Sequence, residues 1–302
     1  MGALPSLVMR GRLQASLVVV AFSVLAFLFP PLSILGAAVV ALVTLREGPG
    51  PGAIIAGFAS LAFGFLALLQ FGSPTLALGF VLLLVPVWAL GLVLRSTRSL
   101  ALTVHGAMLV GLLVALTYAV QVTPHAWEGQ LEPLGRALQQ AQVVDEQQAK
   151  AFIAGLVQWM PGVLAAGFFV ELVLSLFLGR SWQAKLYNPG GFRAEFYALR
   201  LHPVVAFLAL PLLAVFFLRI EGAWPLIHYL GPLLTAAYFF QGLAVAHGVV
   251  AKTKMHRGWL YGLYALLILA MGYTVLVVAA LGYTDAWLNY RARLSGAGRN
   301  TD

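Results

Sequence analysis

Apolar residues in this chain run in long unbroken blocks separated by short polar breaks. Leu13 to Phe29, Gly52 to Gln70, Thr75 to Leu94, Leu100 to Val120 and Trp259 to Leu281 each reach the roughly 17 to 25 residues that a helix needs to cross a bilayer. A membrane barrel would instead show segments of about ten residues with alternating polarity. The pattern predicts an all-α fold, a polytopic transmembrane helical bundle of eight to nine spans forming one integral membrane domain over residues 1–302.

The remaining blocks are less regular. Pro30-Pro31 breaks the first span, because neither proline donates a helical hydrogen bond, and a short block from Leu32 to Leu45 follows that is expected to be tilted, bent or buried. The run Gly48 to Gly52 reads as a turn. Residues 123–150 form a polar outer loop in which Leu131, Leu134 and Leu138 predict an amphipathic helix. A sixth span lies within Ala151 to Leu178. Asn188 as a cap, Pro189 at the first position and Phe192, Phe196 and Leu199 on one face predict an interfacial helix over 188–200. Pro203 to Leu218 and Tyr229 to Val250 are the seventh and eighth spans, with Arg219 to His228 a turn between them. From Gly282 onward the chain is polar enough to leave the membrane.

Composition agrees with this reading. Hydrophobic residues make up 61% of the chain and charged residues 9%, against about 25% in soluble domains. The net charge of +8 comes mostly from short turns between spans, which argues against nucleic acid. Counting nine spans from an inner N-terminus puts 12 of the 18 basic residues on the cytoplasmic side, as the positive-inside rule requires. The same count puts the C-terminus outside, although it carries Arg291, Arg293 and Arg299. The localisation expected is the bacterial inner membrane, multi-pass. With no cysteine there are no disulfides, thiol nucleophiles or Cys-based metal sites.

Three residues stand out as candidate ligand-binding groups, because an unpaired polar group in hydrocarbon costs several kcal/mol. Glu171 lies about 13 Å along a helix from Arg180, near mid-membrane. Gln241, beside Gly242, is 11 positions before Lys252, and His247 lies nearer that end. Each could line a cavity or simply bond to a neighbouring helix, and His105 is a weaker case of the same kind. The chain shows no Walker loop, no His-Glu-x-x-His pair and no Gly-x-Ser-x-Gly elbow, so no enzyme, metal or cofactor is expected. Active transport would then need an ion gradient or a separate ATPase.

Gln241-Gly242-Leu243, His247, the cationic turn Lys252 to Arg257 ending at Gly258-Trp259, the late run Leu281 to Trp287 with Arg291, and the early turn Leu45-Arg46-Glu47-Gly48 together resemble the YybS-like family of uncharacterised bacterial membrane proteins. That family is distantly similar to the substrate-binding components of energy-coupling-factor vitamin transporters, which work with a partner membrane subunit and ATPases. The resemblance implies a transporter-like protein that binds a small molecule within the lipid bilayer, with a membrane protein as partner. The alternative is a non-transporting scaffold or assembly factor that docks protein partners through 123–150 and 188–200.

Overall fold

A computed structural model describes residues 3–72, 74–121, 124–220, 222, 224–253 and 255–297, and among them all regular structure is helical. The chain runs through α1 (Ala3–Val8), α2 (Arg12–Leu25), a 3-10 turn at Pro30–Leu32, α3 (Ser33–Glu47), α4 (Pro49–Phe71), α5 (Pro74–Thr97), α6 (Leu100–Gln121) and α7 (Pro124–Gln140). It continues through α8 (Glu146–Tyr187), α9 (Gly191–Tyr197), α10 (Pro203–Leu218), α11 (Trp224–Lys252), α12 (Gly258–Leu269), α13 (Met271–Leu288) and α14 (Tyr290–Ala297).

Among the described residues six helical stretches are long and apolar enough to cross a membrane: Pro30–Glu47, Pro49–Gln70, Leu100–Val120, Glu146–Tyr187, Trp224–Lys252 and Met271–Leu288. Shorter apolar stretches lie at Arg12–Leu25, Val81–Thr97, Pro203–Leu218 and Gly258–Leu269. The protein is therefore a multi-pass helical membrane protein, and a count of eight or nine crossings depends on the shorter helices.

At the centre lies α3, the short block. Ala37 to Val43 are at most 1% exposed, so its modest length reflects burial among other helices rather than contact with lipid. Small side chains allow this. A methyl group added at Gly179 of α8 would strike the Ala41 side chain and the Ala38 carbonyl, so α3 and α8 meet almost backbone to backbone. Helix α8 is continuous over 42 residues, about 63 Å at 1.5 Å per residue, roughly twice a hydrocarbon core. Asp145 and Gln148 form a capping box at its start. Its first turns carry α7, whose Trp127 packs with Ile153 and Val157 of α8. The amphipathic helix expected in the outer loop is thus present, although residue 123 is outside the described part.

Several sequence boundaries need correction. The run Gly48 to Gly52 is no extended turn. Gly48 alone bends the chain at φ 107, and α4 starts at Pro49 because proline suits a first helical turn, where its missing N–H is not needed. The break after α10 is also shorter than expected, since Trp224 to His228 already belong to α11.

The ninth span is likewise not one helix. At Ala270, with φ −136 and ψ 48, the chain leaves helical geometry, and the Thr274 hydroxyl donates to the Leu266 carbonyl at 3.0 Å. Leu260 and Leu263 of α12 line a common hollow with Leu281 of α13, so the chain doubles back at Ala270 and the two helices form a splayed hairpin. The hairpin returns the chain to its starting end, where the Lys252 ammonium donates to the Arg291 carbonyl at 2.7 Å. The basic tail therefore shares an end of the bundle with the turn after α11. The tail also does not leave the fold at Gly282: Asp285 is fully buried and Arg291 is 6% exposed.

Candidate functional site

Glu171, Gln241 and His247 occupy three separate environments. Glu171 is reached by the Ser33 hydroxyl, which also bonds the Pro30 carbonyl at 2.7 Å, so Glu171 holds the start of α3 against α8. No other side-chain bond of Glu171 occurs among the described residues.

Gln241 is buried completely and is bonded at both ends of its amide. Its Oε1 accepts from the Leu201 N–H at 2.8 Å, and its Nε2 donates to Asp285 Oδ2 at 3.2 Å. The same carboxylate accepts from Arg291 Nη2 at 2.7 Å and from the Tyr290 N–H at 3.0 Å. Arg291 Nη1 in turn donates to the carbonyls of Tyr197 at 2.6 Å and Leu199 at 2.9 Å. A buried amide, carboxylate and guanidinium thereby stitch the link between α9 and α10 to α11, α13 and α14. His105 adds to the stitch by accepting from the His202 N–H at 3.0 Å. The sequence pointed to Gln241 but placed Asp285 and Arg291 in solvent. The signals in the sequence were that both belong to the late run Leu281 to Trp287 with Arg291, and that they bracket an asparagine, a residue suited to the left-handed turn Asn289 makes at φ 45.

His247 is different, because it faces a cavity. Its Nδ1 donates to the Leu243 carbonyl at 2.9 Å, which leaves Nε2 to accept from the Tyr264 hydroxyl at 3.2 Å. The cleft beside it measures about 470 Å³ and includes Arg193, Tyr197, Arg257 and Tyr261. Lys254, part of the cationic turn, lies outside the described residues.

A strongly polar concavity lies where α3, α5 and α8 end. It measures about 550 Å³, within the usual range for a small-molecule site, and is lined by Arg46, Arg95, Arg98 and Arg180 with Glu195 as the one carboxylate. Two of the arginines are committed. Arg180 pairs with both oxygens of Glu195 and donates to Gln183 at 2.8 Å. Arg95 Nη1 donates to the carbonyls of Thr44 at 3.2 Å and Leu45 at 2.9 Å, satisfying the end of α3.

The other two retain free donors. Arg46 stacks on the Tyr187 ring at 4.0 Å, which orients its guanidinium without consuming its N–H groups. Arg98 closes α5 in the left-handed region at φ 54, and its side chain has no bonded partner among the described residues. Four guanidiniums against one carboxylate leave the hollow cationic, and planar forks of this kind match phosphate and carboxylate oxygens. The sequence showed these arginines only as a topology signal. Their convergence depends on α3, α5 and α8 ending at one level.

No family model matches the chain, and comparison with curated proteins and with solved structures finds no match either.

Proposed function

We propose that this is a transporter-like membrane protein of the substrate-binding type, and that its ligand is a small anion carrying phosphate or carboxylate groups. The observation behind the reading is the cationic hollow of Arg46, Arg95, Arg98 and Arg180, with donors of Arg46 and Arg98 left uncommitted. The site thus moves from mid-bundle to the arginine-rich end, because Glu171 and Gln241 are occupied by structural bonds. That end faces the cytoplasm, in line with the positive-inside rule. Both termini share that face, which the Lys252–Arg291 contact and the Arg12–Glu47 pair at 4.0 Å support. The YybS-like resemblance is consistent with this function and adds a membrane subunit as partner.

Thermal-shift titration of the purified full chain with inorganic phosphate and a panel of phosphorylated and dicarboxylate metabolites tests the reading. At least one anion is expected to stabilise the wild type and to lose most of that effect in R46Q/R98Q. A flat response across the panel would sink it.

A scaffold remains the second reading. The pairing of α7 with the first turns of the 42-residue α8 supplies an arm suited to docking. If deleting residues 124–140 releases a co-purifying protein while anion binding persists, docking is a further role of that arm.

A further inference from the structure

The cleft beside His247 does not end at its polar walls. Val250, Met255 and Leu260 line both that cleft and a second hollow of about 550 Å³ between α11, α12 and α13. The second hollow is mainly apolar, walled by Val245, Val249, Leu263 and Leu281 with Trp259 beside them, and α14 closes it with Tyr290, Leu294 and one cation, Arg293. The two hollows adjoin at Val250, Met255 and Leu260 and together make a recess with a cationic end and a mainly apolar end.

At the cationic end are Arg193 and Arg257, and no Asp or Glu contributes to either lining. Arg193 Nε donates to the Tyr197 hydroxyl at 2.9 Å, and its guanidinium sits over that ring, leaving its terminal N–H groups open. Among the described residues no carboxylate pairs with Arg257. Trp259 and Tyr261 are 68% and 72% exposed at this level, the placement that aromatic residues take at a headgroup boundary.

We infer that this recess binds an anionic phospholipid, with its phosphate between Arg193 and Arg257 and an acyl chain along the groove between α12 and α13. Charge complementarity selects an anion, and the adjoining apolar wall selects one that carries a chain. A neutral lipid leaves the arginines without a counter-charge. A chain-free phosphate leaves the groove empty. The His247–Tyr264 pair is already satisfied and braces α12 against α11, so the headgroup is held by the arginines.

The test uses the delipidated full chain in a neutral detergent, titrated by native mass spectrometry with dioleoyl phosphatidylglycerol, dioleoyl phosphatidylcholine and glycerol 3-phosphate. Phosphatidylglycerol is expected to bind at least about tenfold more tightly than phosphatidylcholine, with glycerol 3-phosphate weaker than both. R193Q and R257Q should each cost about fivefold, and the double variant should lose most of the preference for phosphatidylglycerol, with Arg293 accounting for any remainder. Leu263→Trp, which fills the groove and leaves the charges alone, should weaken both lipids. Arg136→Gln, on α7, is the unaffected control. Equal binding of the two lipids by wild type, or an unchanged preference in the double variant, would overturn the proposal. So would glycerol 3-phosphate binding as tightly as the intact lipid.

Discussion

At the residue scale, the buried polar chemistry of this protein is mostly spoken for. Asp285 and Arg291 form a pair with 0% and 8% side-chain exposure, bonded further to Gln241 and to backbone groups of Tyr290, Tyr197 and Leu199. Removing one member strands the other in a low-dielectric interior. Asp285→Ala and Arg291→Ala should each cost about 3 to 5 kcal/mol, and the double variant less than their sum, as measured by unfolding in detergent. Additive losses would show that the two charges do not depend on each other. Glu171 makes a milder prediction. Ser33 has one hydroxyl hydrogen for two oxygens, so a second hydrogen on the partner completes both bonds. Glu171→Gln supplies one, and stability should change by less than about 1 kcal/mol, whereas Glu171→Leu removes the bond between α3 and α8, leaves Ser33 bonded to Pro30 alone, and should cost about 1 kcal/mol. Arg98 offers a separation of roles, since its left-handed backbone suits glycine better than arginine. Arg98→Gly should leave stability unchanged or raised by up to about 1 kcal/mol and still reduce anion binding.

At the scale of elements, close backbone approach decides which helices can pair. A methyl group at Gly242 would run into the Val278 carbonyl, and one at Gly282 into the Tyr238 carbonyl, so α11 and α13 cross where neither carries a side chain. Gly242→Val or Gly282→Val should push the pair apart and release the Gln241–Asp285 bond with it. The expected reading is a loss of folded protein comparable to Asp285→Ala. The hairpin of α12 and α13 makes its own prediction. Because the chain lacks cysteine, single cysteines placed at Arg98, Arg257 and Arg293 report sidedness without background. All three should label from one face of sealed vesicles, and labelling of Arg293→Cys from the opposite face would refute the hairpin.

For the whole molecule, the arginine-rich end is where a ligand can act. Helices α3, α5 and α8 deliver four guanidiniums to one hollow that is open to solvent, so anion affinity should fall steadily as ionic strength rises from about 0.05 to 0.5 M. An affinity indifferent to salt would mean the ligand is held by apolar contacts instead. Lipid binding in the recess by α12 should respond less, because the acyl chain contributes a part that salt does not screen.

Much of the architecture was legible in the chain itself. Block length gave the helical membrane class, and the ends of α5, α6 and α10 fall within three residues of the expected limits, because Arg95, Arg98, Pro203 and Arg219 stand at or beside those ends, whereas Pro86 and Pro211 lie inside α5 and α10 without ending them. The break at Ala270 was hidden, since Trp259 to Leu281 is uniformly apolar and a bend there costs no polar residue. The partners of Glu171, Gln241 and Asp285 were hidden for a related reason. A polar residue in lipid must find a bond, which sequence can state, but which helix supplies it depends on small residues such as Gly179, Gly242 and Gly282 letting particular backbones meet. The sequence by itself determined that these groups would be paired; the packing of the helices alone decided with what, and thereby left Arg46 and Arg98 at one hollow, and Arg193 and Arg257 at another, with donors free to bind something else.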